Sequence, residues 1–149
     1  MIGSLWLGSA VFVILAALAA FRALTTPTDA ANVVGAILTR WHYIALLAPL
    51  ALLALEWRRA RPLILGLLFA AILLASAQAL VDTRIRAMRM ESVVPISALP
   101  RADPLRRRFG ALHGFSSLLL VLQVIVAAAA IVADEKETQP PRNPAVEAT

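Results

Sequence analysis

The sequence predicts an all-α fold, an integral membrane bundle of four helices, and three observations carry that prediction. Sixty per cent of the 149 residues are apolar, only 15% are charged, and the mean hydropathy is +0.80, more apolar than a water-soluble single domain of this length. The apolar residues fall in long runs with the charges clustered between them, the block pattern of a chain whose solvent is lipid. Proline and helix-capping residues stand in the gaps between the runs.

The first predicted span is residues 3–21, nineteen uncharged positions that cover about 28 Å, close to the hydrocarbon thickness. The small residues Ala16 to Ala20 resemble a cleavage region. The segment ahead of them carries no basic residue and the run exceeds a typical signal core, so it reads as a retained anchor. Pro27, Thr28 and Asp29 break the run and supply the start of the second helix. That span is placed at 33–55 with Arg40 inside it. Arg40 is expected to snorkel, Trp41 and Tyr43 to mark the interface, and Pro49 to kink the helix. Glu56 to Arg61 end it, and Pro62 opens the third span, 63–81. Helix is expected to continue to Glu91, with Asp82 and Arg86 four residues apart for an ion pair. Pro95, Pro100 and Pro104 make 92–103 a loop, and Asp103-Pro104 starts the fourth helix, whose span is 109–133. Residues 1–133 thus form one transmembrane domain. Residues 134–149, charged and then proline-rich, read as a disordered polar tail. No repeat, glycine-rich phosphate loop or heptad seam is visible.

With no cysteine, disulfide frameworks, thiolate metal sites and cysteine nucleophiles are excluded. The net charge of +5 is assigned to arginines facing anionic lipid headgroups, with Arg84, Arg86, Arg89, Arg106 and Arg107 as the contacts; nucleic acid is not an expected partner. An even number of spans puts both termini on one side. The first and third loops carry Arg22, Arg40, Arg84, Arg86, Arg89, Arg101, Arg106, Arg107 and Arg108, nine basic residues against five on the other side. The positive-inside rule then favours the third loop as cytoplasmic and the termini as non-cytoplasmic. Thirteen arginines to one lysine, with abundant alanine, suggest a GC-rich bacterial gene and hence a plasma (inner) membrane.

Polar residues within spans are the first place to seek function, because they are costly unless paired. The span order brings Arg40, His42, Gln78, Asp82, Arg108, His113 and Ser116 to similar depth near one surface, as an interhelical polar cluster. On the fourth helix His113, Ser116, Ser117, Leu120, Val124 and Ala127 form an expected inward stripe, with Gln123 at its edge and Gly110 and Gly114 beside it as a GxxxG for close helix approach. On the third helix Ala71, Ala75, Gln78 and Asp82 share a face. His113 is expected to bond Asp82 or Gln78. The bland reading is a hydrogen-bond network that fixes helix register. The sharper one makes His42 and His113 candidate ligands of haem, copper or a quinone, although two histidines are few for a closed metal site and no cofactor is expected. No nucleophile–base pair, paired carboxylates or cofactor loop appears, so an enzyme is not expected. The leading expectation is a non-catalytic or accessory subunit of a membrane assembly, with other membrane subunits as partners. The alternatives are a redox or metal-handling protein and a small-solute transporter.

The run Phe109-Gly110-Ala111-Leu112-His113-Gly114-Phe115-Ser116-Ser117-Leu118, preceded by arginines, resembles a signature of a family of small four-helix membrane proteins related to eukaryotic transmembrane protein 205. Trp6, Gly8, Phe12 and Phe21-Arg22 are similar to that family's opening pattern, and the resemblance covers about residues 5–133. It implies four helices and a membrane location, with no established reaction. The family often has Asn seven positions after the histidine, where this chain has Leu120. A fainter likeness to membrane proteins of the copper-resistance type accompanies the metal alternative.

Overall fold

A computed structural model describes residues 2–59 and 61–138. It contains four long helices: α1 (Ile2–Ala23), α2 (Pro27–Glu56), α3 (Pro62–Glu91) and α4 (Pro104–Thr138). Short 3-10 turns lie at Trp57–Arg59 and Ile96–Ala98. The described residues include no strand, and all four helices are long and apolar enough to cross a membrane. Consecutive helices pack side by side and α1 also packs on α4, which closes an up-and-down ring.

The helix ends have local causes. Thr26 caps α2, its hydroxyl accepting the Asp29 amide at 3.1 Å and donating to the Asp29 carboxylate at 2.6 Å. The cap is therefore one residue ahead of the expected group. Asp103 caps α4 as anticipated, its Oδ1 accepting the amides of Leu105 at 2.8 Å and Arg106 at 3.4 Å. Pro62 opens α3, where its missing N–H would have had no partner. α2 continues as helix through the buried Pro49. α4 runs to Thr138, so 134–138 are helical rather than part of a tail; Asp134 is held by Arg61, and 139–149 lie outside the described residues.

The core is built from small residues and tryptophan. Trp6, Ile64, Leu68, Ala71 and Ala127 fill the half near the termini, and Ala10, Val13, Trp41, Ala45 and Ala75 fill the middle. Trp41 is 2% exposed and donates from Nε1 to Ser9 Oγ at 3.3 Å, so it is a core residue and not the interface marker expected from its rank in the sequence. Tyr43, two residues on, faces outward. Buried positions on α3 are Ile64, Leu68, Ala71, Ala75, Gln78 and Ile85, alternate steps of four and three with Asp82 in the same register. This is a heptad seam; Ala71, Ala75, Gln78 and Asp82 show part of it in the sequence, and the equally apolar outward faces hide the rest.

The close approach of α1 to α4 occurs at Gly3, where an added Cβ would stand 3.3 Å from Ile131 Cγ1. Gly110 and Gly114 face open space, with nothing within 4 Å of an added Cβ, so the expected GxxxG contact is not made. At the terminal end of the bundle Arg61 clamps three helix ends. It bonds Glu56, with Nε to Oε2 at 2.9 Å, and Asp134, with Nη1 to Oδ1 at 2.7 Å. These carboxylates hold its guanidinium pKa well above the usual arginine value, the Glu56 hydrogen bond contributing most.

A candidate polar cleft at one end of the bundle

At the opposite end the bundle opens. α2, α3 and α4 part around a cleft of about 590 Å³, roofed by the loop that carries the buried Ile96. The opening has a sequence cause: beyond the apolar runs, the seam positions of α3 are Asp82, Ile85 and Arg89 instead of alanines that would pull neighbours in.

Asp82 organises the floor. Ser116 Oγ on α4 donates to Asp82 Oδ1 at 2.6 Å, and His42 Nε2 on α2 stands 3.1 Å from Asp82 Oδ2. The second contact is ionic in distance without hydrogen-bond alignment, and neither atom has another partner. The His42 and Asp82 side chains are 14% and 15% exposed, so this contact is largely withdrawn from solvent. One turn towards the bundle centre, Gln123 donates from Nε2 to Gln78 Oε1 and, at 3.3 Å, to Leu119 O. Both glutamines are 1% exposed. Gln78 Nε2 and Gln123 Oε1 are buried without a hydrogen-bond partner. Gln78 lines the inner end of the cleft.

At the mouth, Arg86 donates from Nη1 to Thr39 Oγ1 at 2.9 Å and from Nη2 to Thr83 Oγ1 at 3.4 Å. Arg89 donates from Nη1 to Ala31 O at 3.5 Å and lies over the Phe109 ring, 5.3 Å from its centroid. The expected Asp82–Arg86 pair therefore does not form: Asp82 is taken by Ser116 and His42, while Arg86 turns to α2. Of the proposed headgroup contacts, Arg86 and Arg89 line the cleft, Arg106 bonds Leu99 O in the roof, and Arg84 and Arg107 face outward.

The expected cluster assembles in part. His42, Gln78, Asp82 and Ser116 meet. Arg40 and Arg108 have the right depth and the wrong azimuth: both are exposed, and Arg40 Nη1 folds back to Ala36 O at 3.3 Å. Two residues separate Arg40 from His42, about 200° of helical rotation. His113 lines the cleft and stacks on Phe109 at 6.1 Å between centroids, but it is exposed and does not bond Asp82 or Gln78. Its expected partner belongs to His42. The buried stripe of α4 is Ser116, Leu119, Gln123, Ala127 and Ala130, which puts Gln123 at the centre and Ser117 outside. Sequence reasoning missed Thr39 and Asn32 on the α2 wall; Thr39 was findable as one turn before His42 on the same face.

The carboxylate stands between serine and histidine, so Ser116 gives its proton to Asp82 and has no imidazole base to activate it, unlike a nucleophilic triad. Among the described residues no three imidazole or carboxylate side chains converge, so His42 and His113 lack a further ligand for a closed metal site. Compared with protein-family models, curated proteins and solved structures, the chain matches none.

Proposed function

We propose that the chain is a non-catalytic multi-pass membrane protein, an accessory component whose working part is the α2–α3–α4 cleft and whose task is to hold a small amphiphile. The observation that carries this reading is the cleft itself. Its volume of about 590 Å³ falls within the range of small-molecule sites, and its largely apolar walls converge on a few polar groups. The transporter alternative has less support, because the bundle beyond Gln78 and Gln123 is filled by the packed Trp6, Leu68 and Ala71 layer. The redox or metal alternative gains from both histidines lining one cleft and loses because His42 is already paired with Asp82.

Membership of the transmembrane protein 205-related family, a bacterial plasma membrane and a cytoplasmic third loop belong to the same proposal. The family reading rests on the motif around His113, and the orientation on the arginine distribution. The decisive experiment fills the cleft. Gly35 lines it, with Arg89 Nη1 4.0 Å from an added Cβ, so Gly35→Leu places bulk inside without touching the core. An uncharged fluorescent amphiphile should bind the purified protein in detergent and be expelled by Gly35→Leu; equal binding to both forms refutes the cleft as the site. Gentle extraction and sizing test the accessory role, and a monomer without co-purifying chains at native expression overturns it.

A further inference from the structure

The cleft carries two kinds of unused donor, and their spacing specifies a ligand. Arg86 and Arg89 present guanidinium groups whose protein partners are all neutral: two threonine hydroxyls, a backbone carbonyl and an aromatic ring. Among the described residues no carboxylate neutralises either one, which leaves two positive charges and most of their N–H donors uncommitted at the mouth. Deeper, Gln78 Nε2 is an unpartnered amide donor on a residue 1% exposed, and it needs a neutral acceptor. The two levels are set by the helix. Arg86 follows Gln78 by eight residues, about 12 Å along the axis, but its guanidinium reaches back a turn to Thr83. The Arg86 guanidinium therefore lies about 7 Å outside the amide level, and Arg89, three residues further along α3, stands outside it at the mouth over Phe109. In bilayer terms the arginines sit just beyond the apolar run that ends at Val81, at headgroup depth, and Gln78 lies just inside it.

Resting on the cleft reading above, we propose that the occupant is an anionic glycerophospholipid drawn from the surrounding bilayer, its phosphate between Arg86 and Arg89 and an acyl ester carbonyl accepting from Gln78. A phosphate separated from an ester carbonyl by a glycerol unit matches the Arg86 guanidinium one short step above a neutral donor, with Arg89 meeting the phosphate from the mouth. Leu38, Ile85 and Leu120 give the cleft an apolar wall beside these polar groups. His113 and Val94, both exposed at the rim, leave that wall open to lipid. Arginine is suited to the head, since its planar fork binds phosphate oxygens in pairs.

The test uses the full-length protein in neutral detergent, with lipid binding read by native mass spectrometry. The probes are phosphatidylglycerol, phosphatidylcholine, the diether form of phosphatidylglycerol, diacylglycerol and glycerol 3-phosphate. The wild type should prefer phosphatidylglycerol over phosphatidylcholine by about tenfold, and Arg86→Gln with Arg89→Gln should remove the preference. Arg84→Gln with Arg107→Gln, on exposed arginines outside the cleft, should leave it intact; equal loss there shows diffuse charge attraction and overturns the site. Diester should bind better than diether lipid in the wild type and equally in Gln78→Leu. A wild type blind to the ester overturns the carbonyl assignment. Millimolar glycerol 3-phosphate should not compete, and effective competition would make the ligand a soluble phosphate rather than a lipid. If no charge preference appears while Gly35→Leu still expels diacylglycerol, the ligand class is wrong and the cleft reading stands. If Gly35→Leu leaves every lipid bound, both fall.

Discussion

Replacing Gln78 and Gln123 by leucine, singly and together, separates what the buried amide pair does for stability from what it is kept for. The wild type makes one interhelical bond, Gln123 Nε2 to Gln78 Oε1, and leaves Gln78 Nε2 and Gln123 Oε1 buried and unpaired. In Gln123→Leu the bond is lost and two unpaired atoms remain, now both on Gln78, so the cost is that of the bond, about 0.6–1.7 kcal/mol. In Gln78→Leu the bond is also lost, but Gln123 Nε2 keeps Leu119 O and only one atom is left unpaired; this variant should lie closer to wild type. The double variant loses the same bond and removes both orphaned atoms, each of which costs about 1–3 kcal/mol when buried. The two effects then oppose each other, and the double variant should be at least as stable as the wild type. It should exceed Gln123→Leu by about 1 kcal/mol or more. Equilibrium unfolding by SDS in mixed micelles, run on all four proteins, gives the coupling directly. A double variant as unstable as the sum of the singles would show no coupling between the two amides and would refute this reasoning.

Four further outcomes follow from the geometry. His42→Ala strips Asp82 of its imidazole and leaves only Ser116, so it should lose about 1–3 kcal/mol, whereas His113→Ala, exposed at the rim, should stay within about 0.5 kcal/mol of wild type by the same unfolding assay. Gly3→Leu must push Ile131 aside and should lower stability by about 1–3 kcal/mol, while Gly114→Leu meets open space and should melt with the wild type in detergent. Arg61→Ala should cost about 1–2 kcal/mol by leaving Glu56 and Asp134 without their shared cation. Because the Arg61 pKa is raised on folding, its own titration gives stability that is full below its unfolded value and lost only in strong alkali; a melting profile in which the Arg61 contribution changes between pH 6 and pH 9, roughly the neutral range, would contradict that sign. Since the chain has no cysteine, Val93→Cys and Arg58→Cys can each be labelled alone in sealed vesicles. The Arg58 position should react from outside the cell and the Val93 position only after permeabilisation; the reverse pattern overturns the proposed orientation.

Helix number, order and approximate ends were readable because lipid imposes a long apolar run and proline with capping residues punctuates it. Azimuth was not. In a water-soluble helix the polar face announces the buried one, but Phe115, Leu118 and Ile125 face outward on α4 and are as apolar as the Leu119 that faces in. The remaining signal is size and polarity. It succeeded on α3, where Ala71, Ala75, Gln78 and Asp82 share a face. On α4 the same rule anchored the stripe on His113 and the nearby glycines, and so put Ser117 inside and Gln123 at the edge. Trp41 misled for a related reason: its indole suits an interface, yet Ser9 on α1 supplies the one acceptor that lets it be buried. The Arg86 and Arg89 roles depended on side-chain direction, since Arg86 turns back to Thr83 and Thr39 while Arg89 lies over Phe109. No composition or spacing rule carries that information.

The pairing of polar residues also sets an order of assembly during synthesis. Gln78 and Asp82 lie on α3, while their partners Gln123 and Ser116 lie on α4, 45 and 34 residues later in the chain. As the protein leaves the ribosome, α3 enters the bilayer carrying an amide and a carboxylate that the earlier helices satisfy only through His42. α4, made after α3, is therefore the helix that seals the third, and the α3–α4 hairpin closes as a unit. A nascent chain stalled in the loop before Pro104 leaves those groups without their α4 partners.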